Sequence, residues 1–384
     1  MVTRKRNFKY WIGQIHLWLG LASGLVVFIV SITGCLFVFQ KEISDQVFKK
    51  TFFVEAQTTV TVPVSTLLQK AQLAMGQSKI NNITIYKASD RAWEFMAYKS
   101  NSKAITYFGA MESYRSVFMN PYTGEVTGFR NYKTDFFFIV KSLHWSLLLN
   151  TKYGQPIVGW STVIFLVLLI TGFLLWWRKR WNKPNRRKSF SIRWKAKFKI
   201  LNYDLHNVLG FYSLLLALVI GLTGIMWSFE WFQSLVYATA AGTTKTPPYV
   251  TMSSDTSAVA AKDPYNIAYH ATLQLVPAVQ RINISPAWGN KGALFVFAYH
   301  GKETYYNNTS LQFDQYTGKL LYREDAVTKN KGQRLVDMNY DIHIGAIGGL
   351  TGKIIAFIIC LICTSLPVTG FYVWWNKRRK AIVK

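Results

Sequence analysis

The sequence predicts an α-helical integral membrane protein with four transmembrane helices in two parallel repeats and two extracytoplasmic α+β domains. Three observations predict it. Half of the 384 residues are hydrophobic and 16% are aromatic. Four runs, about 11–39, 156–177, 205–232 and 352–375, each supply the ~20 apolar residues that a membrane-crossing helix needs. The second observation is where the charge sits. The formal net charge is +27, gathered before the first run, between the second and third, and after the fourth. Those short segments share one side of the membrane, which the positive-inside rule makes the cytoplasm. The third observation is that the second half of the chain repeats the motifs of the first.

The elements follow in order. Residues 1–40 hold a basic lead (Arg4, Lys5, Arg6, Lys9) and the first span. In 41–134, residues 63–76 read as a helix opened by Pro63 and stopped by Gly76. The alternating runs INNITIY, RAWEFMAY, AITYF and YRSVFMN then read as strands, with a turn at Asn120–Gly124 and a returning strand over 125–129. Residues 135–177 combine a short aromatic helix carrying His144 with the second span, which ends TGFLLWW. A basic linker occupies 178–200, and the third span lies within 201–232. Residues 233–334 repeat the helix and strands, near 264–275, 279–285, 292–299 and 304–313, with a second YTG turn at Tyr316–Gly318. Residues 335–376 carry His343 and the fourth span, ending TGFYVWW, and 377–384 are a basic tail.

The candidate site comes from the repeat. Aligning His16 with His206 aligns Gly20 with Gly210, Ser23 with Ser213, Thr33 with Thr223 and Gly34 with Gly224, with no gap. At ~100° per residue, the offsets of 4, 7 and 18 (the two glycines and the serine) return to the histidine's own helix face. A histidine followed by small residues suits a flat metal-bearing ring, so each face reads as a haem slot. His144 precedes the Thr171-Gly172 pair as His343 precedes Thr369-Gly370. Histidine in hydrocarbon is costly and functional by default. His16 and His206 lie toward the cytoplasmic side and His144 and His343 toward the outer side, so the partners must pair across the repeats. Two axial histidines leave no open iron position, which suits electron transfer. Zinc would want further ligands, and no carboxylate repeats near the inner pair. Asp204 and Asp341 stand near histidines, but Gln14 and Ser142 take their places in the other repeat.

Other features are read more plainly. Cys35, Cys360 and Cys363 lie in apolar spans and make no disulfide framework. His270 and His300 read as surface or capping residues of the extracytoplasmic part. The chain has no dinucleotide fingerprint, and GAIGGLTGK is not a phosphate-binding loop, so the electron donor must be separate. No aromatic-interleaved motif accompanies the charge, which excludes nucleic acid and leaves the lipid bilayer as the partner of the cations.

These residues resemble the PepSY-associated transmembrane family. The resemblance rests on two spans opening H-x-x-x-G, two histidines placed before spans ending TGFLLWW or TGFYVWW, and the YTG turns. The family includes bacterial inner-membrane ferric-siderophore reductases with b-type haems. The resemblance therefore implies two haem b groups held by His16, His206, His144 and His343, and PepSY-type domains in the periplasm. It also implies an oxidoreductase that reduces a ferric siderophore or another ferric chelate there to release iron. Two other expectations stand beside it: a transport protein for iron or a siderophore, and a regulatory membrane anchor.

Overall fold

The structure, a computed structural model, describes residues 7–382. Arg4, Lys5 and Arg6 of the basic lead lie outside the described residues, as do the side chains of Lys377, Arg379 and Lys380 in the tail. The helices in chain order are α1 (Phe8–Phe37), α2 (Gln40–Val47), α3 (Lys49–Phe52), α4 (Val64–Met75), α5 (Tyr107–Ala110), α6 (Phe136–Ser146) and α7 (Thr151–Trp176). They continue as α8 (Lys183–Phe190), α9 (Phe198–Asp204), α10 (Gly210–Ser228), α11 (Glu230–Ala241), α12 (Pro264–Leu275), α13 (Lys331–His343) and α14 (Gly349–Ile382). The chain divides into two compact units. One is helical, built from the segment ending at Val38, Val140–Gln233 and the segment from Ile342; the other comprises Phe39–Ile139 and Ser234–Asp341.

Four helices of the first unit are long and apolar enough to cross a membrane: Phe8–Phe37, Thr151–Trp176, Phe198–Ser228 and Ala346–Asn376. Side chains fix where two of them begin. Asn7 caps α1 by accepting from the Tyr10 N–H at 3.0 Å, and Asn150 caps α7 by accepting from Lys152 at 3.1 Å. The third span starts earlier than its apolar run because α9 leads into α10 through a π turn at Leu205–Leu209. In the bundle, α1 packs on α7 and α14, and α10 packs on the same two helices. The four thus form a ring in which α1 faces α10. Small residues permit the close approach: a Cβ on Gly221 would come within 2.7 Å of Leu166 Cδ2.

The second unit is one antiparallel sheet of eight strands, in the order β4-β3-β2-β1-β5-β6-β7-β8. The strands are β1 (Asn82–Tyr86), β2 (Trp93–Ser100), β3 (Met111–Met119), β4 (Val126–Asn131), β5 (Arg281–Ser285), β6 (Ala293–Tyr299), β7 (Asn308–Asp314) and β8 (Leu320–Asp325). The two stretches that the sequence presents as separate domains therefore share a sheet. β1 and β5 pair in the middle, Ile83 opposite Ile284 and Thr84 opposite Asn283, with Thr84 Oγ1 donating to Asn283 Oδ1 at 2.8 Å. This pairing removes two open strand edges. α4 and α12 cover the junction, and Leu67, Ile83, Phe95, Ile284, Leu294 and Phe313 are fully buried in the common core.

One segment differs from its sequence pattern. AITYF, aromatic and β-branched, reads as a strand, yet Tyr107–Ala110 form a helical turn. Thr106 caps it by accepting from the Gly109 N–H at 3.3 Å, a local bond that outweighs strand propensity. The two YTG turns match closely. Asn120 Oδ1 accepts from the Tyr122 N–H and Asp314 Oδ1 from the Tyr316 N–H, each at 2.9 Å, and Gly124 and Gly318 follow at φ +69° and +70°. They differ in surroundings. A Cβ on Gly124 would meet only the end of the Lys70 side chain. On Gly318 it would meet the Pro264 carbonyl at 2.7 Å and Ile267 Cβ at 2.8 Å. Both Gly→Ala changes incur about 1 kcal/mol of left-handed strain. Gly318→Ala is expected to cost about 1–3 kcal/mol more through overpacking. Thermal unfolding of the two variants should show the larger loss at position 318, and equal shifts would contradict the packing described.

Candidate functional site

Four histidines meet in two pairs inside the helical unit. His16 on α1 and His206 in the π turn have ring centroids 6.3 Å apart, with planes at 85°. His144 on α6 and His343 at the end of α13 have centroids 6.1 Å apart, with planes at 68°. Each pair joins one histidine from each half of the chain. π turns cluster at functional sites because the extra residue re-aims side chains locally.

Every ring is held in the same way. His144 Nδ1 lies 2.9 Å from the Val30 carbonyl and 3.3 Å from Thr33 Oγ1. His343 Nδ1 lies 3.1 Å from the Ile220 carbonyl and 3.0 Å from Thr223 Oγ1. His206 Nδ1 lies 3.1 Å from the Leu366 carbonyl and 3.0 Å from Thr369 Oγ1. His16 Nδ1 lies 2.9 Å from Thr171 Oγ1 and bonds the Leu168 backbone. The carbonyl always belongs to the residue three before the threonine, so the seat is one turn of a facing helix.

The seat fixes the tautomer. A carbonyl only accepts, so Nδ1 must carry the proton and donate it. Each threonine hydroxyl has already given its hydrogen to its own helix, to Ile29, Val167, Val219 and Ser365 at 2.6–2.9 Å, and so offers a lone pair to the ring. Nε2 is left unprotonated, with its lone pair available on the far side of the ring. Orientation by an Nδ1–H bond to a carbonyl is the usual support of a metal-bound histidine. After each threonine comes a glycine. A Cβ there would lie 3.1 Å from His144 Cε1 at Gly34, 3.3 Å from His16 at Gly172, 3.4 Å from His343 at Gly224 and 3.1 Å from His206 at Gly370. The glycine is the floor on which the ring lies.

Two metal–imidazole bonds of about 2 Å, with the ~1.1 Å from nitrogen to ring centre, would place paired centroids about 6 Å apart. Both pairs have that separation, and the donor set fits a six-coordinate haem iron. Among the described residues, no group of three or more histidine, cysteine or acidic side chains could hold a metal ion. Along α1, His16 and the Thr33 seat of His144 are 17 residues apart, so the pairs are separated by roughly 20–25 Å.

The remaining candidates fall around these pairs. Gly20 and Gly210 face neighbouring helices, where an added Cβ would touch Leu168 Cδ2 at 3.8 Å and Leu366 Cδ2 at 3.6 Å. Those leucines sit in the seats of His16 and His206, so the glycines let the seat helices come close. Ser23 and Ser213 are buried and donate back to the Leu19 and Gly210 carbonyls. Asp204 is clasped by Arg193 through two bonds of 2.7 Å. Asp341 accepts from the Tyr305 and Tyr306 N–H groups at 2.9 Å. Cys35 Sγ contacts the Phe357 carbonyl at 3.7 Å, and all three cysteines are free thiols.

The sequence reading marks Thr33, Gly34, Thr223 and Gly224 as repeated and Thr171-Gly172 and Thr369-Gly370 as landmarks. It misses that they hold the histidines. The signal is an aliphatic-Thr-Gly tripeptide near the far end of every span. The shared role yields a specific expectation. Thr369→Val removes one acceptor but leaves the Leu366 carbonyl, so His206 should keep its Nδ1–H tautomer at a cost of about 1 kcal/mol. Nitrogen-15 NMR of histidine-labelled, haem-free protein reads this directly, and a switch to the Nε2–H form would refute the assignment of the seat.

A search of curated proteins returns no match. The family model described as the PepSY-associated TM region matches residues 14–377, and with its four membrane-length apolar helices the chain belongs to that family of multi-pass membrane proteins.

Proposed function

We propose that the chain carries electrons across the bacterial inner membrane through two b-type haems and reduces a ferric siderophore, or another ferric chelate, in the periplasm. The observation that supports this best is the pair of bis-histidine seats, with every Nδ1 proton committed and the paired rings about 6 Å apart. A membrane anchor or a transport path gives no reason for four such seats. The matched motifs fit a duplication, with both termini and the basic linker cytoplasmic and the sheet unit a pair of fused PepSY-like domains.

His16 and His206 would hold the inner haem and His144 and His343 the outer one. A haem with two imidazole ligands takes up and gives up single electrons at a closed iron. The protein's own part is to hold four neutral imidazoles in fixed orientation, exclude water with apolar helices, and keep the two sites in register along α1 and α10. The Nδ1–H bonds raise ligand basicity and resist ring rotation, so little rearrangement accompanies each transfer. Ferrous iron binds hard oxygen ligands less tightly than ferric iron, so reduction at the outer face would loosen a chelate.

Dithionite-minus-oxidised spectra and a pyridine haemochrome assay on detergent-purified protein test this reading. About two b-type haems per chain are expected. His16→Ala and His206→Ala should each abolish the same haem signal, and His144→Ala and His343→Ala the other. Protein expressed with ample haem that carries none would overturn the proposal. Loss of one and the same haem in His16→Ala and His144→Ala would overturn the pairing.

A further inference from the structure

The basic linker is more ordered than topology requires. From Arg178 to Lys199 the chain has eleven lysines and arginines and no aspartate or glutamate. Nine of the eleven are exposed. Yet the segment is pinned to the span ends. The Trp176 Nε1–H donates to the Ser189 carbonyl at 3.1 Å, and Arg178 Nε donates to Ser189 Oγ at 3.2 Å. The Tyr212 hydroxyl donates to the Phe190 carbonyl at 3.2 Å. Ser189 itself is fully buried, and Trp176 stacks on Phe211 at 3.8 Å and 7°. Asn182 caps α8 and presents Arg186, Arg187 and Lys188 to solvent.

A small open cleft of about 200 Å³ adjoins this plate. Arg193 and Lys199 rim it, and Ile200, Tyr203, Val373 and Asn202 line it. Asn202 connects the cleft to the inner histidine pair. Its Nδ2 donates to the Thr369 carbonyl at 3.0 Å, and Thr369 Oγ1 accepts from His206. No such bond to Thr171 occurs at the His16 seat among the described residues.

We infer that the plate and cleft form the docking surface for the electron donor, and that the donor is a small acidic protein exposing a one-electron carrier such as a reduced flavin. This inference rests on the haem reading above. Attraction of lipid headgroups needs only charge and is served by flexible polybasic segments. Fixing a backbone costs about 1–2 kcal/mol per residue, which a lipid contact does not reward. A rigid plate does suit a partner with its own fixed pattern of opposite charge. The donor's chemistry follows from the acceptor's. A pyridine nucleotide gives up electrons as a hydride, whereas a closed iron accepts them singly. In each turnover one electron leaves the donor and one reaches the outer acceptor, with no bond made or broken in this chain.

The test uses the full chain in nanodiscs of neutral phosphatidylcholine, with a purified acidic flavodoxin as the probe. Two quantities are measured: flavodoxin affinity, for haem-loaded and haem-free protein, and the rate of haem reduction by reduced flavodoxin; binding of each protein to phosphatidylserine vesicles is the lipid control. For the wild type, both should weaken at least about tenfold between low salt and ~0.5 M salt. The triple variant Arg186→Glu, Arg187→Glu, Lys188→Glu should lose at least about tenfold in both. Its haem content and reduction by dithionite should stay unchanged. Affinity and rate indifferent to salt and to the triple substitution would overturn the inference. So would a variant that loses only its binding to phosphatidylserine vesicles, which would assign the plate to lipid. Flavodoxin that binds haem-free protein tightly in a chain that never takes up haem would keep the docking surface and discard the haem reading.

Discussion

An imidazole N–H inside an apolar bundle must find an acceptor, and this requirement organises the helical unit. Leaving such a group unpaired in hydrocarbon costs several kcal/mol. The chain satisfies it with one turn of helix whose threonine has spent its own hydrogen and whose carbonyl three residues earlier has a spare lone pair. The following glycine matters equally, because a side chain there would press against the ring edge. The same turn recurs at Thr33, Thr171, Thr223 and Thr369, and each ring ends in the same tautomer. Helix spacing follows from this. The seats for His16 and His206 lie on α7 and α14, while those for His144 and His343 lie on α1 and α10. Each span therefore carries a histidine seat, and no helix can slide without unseating a ring.

The spans and the four histidines are legible in the sequence because their signals are local: twenty apolar residues, a basic flank, a gapless self-alignment. The seats are not legible in that way. The bonds join residues 155, 111, 120 and 163 positions apart, so no window of the chain contains both partners. The repeated Thr-Gly pairs announce a constraint without naming it. Gly20 and Gly210 mislead for a related reason. Small residues on a histidine's face suit a ring plane and a neighbouring helix equally well, and here Leu168 and Leu366 take up the space. Tyr107–Ala110 fail differently: strand composition lost to the Thr106 cap, as short segments often do.

The sheet unit repeats this lesson on a larger scale. Each half supplies a helix and four strands; the sequence reading finds all of them but β8 (Leu320–Asp325), yet nothing local says that β1 will pair with β5. The reason lies in what the halves lack alone. Each would leave β1 or β5 as an open edge, with Ile83 and Ile284 half covered. Joined, the eight strands share one core beneath α4 and α12, with Thr84 bonded to Asn283 across the seam. The seam at the centre of the sheet, like the two histidine pairs, joins one residue set from each half.

That symmetry makes its own breaches informative. His206 sits in a π turn, whereas His16 sits in regular helix. Asn202 braces the His206 seat from the cleft side, and Arg193 ties Asp204, two residues before His206, to the linker. All three departures fall in the half that the basic linker leads into, and all lie at the His16–His206 pair. The histidine seats alone give the two halves no reason to differ there. The donor docking proposed above would supply one, because a partner approaching from one side meets the two halves differently. The departures are therefore concentrated at the His16–His206 pair, beside the segment that joins the two halves.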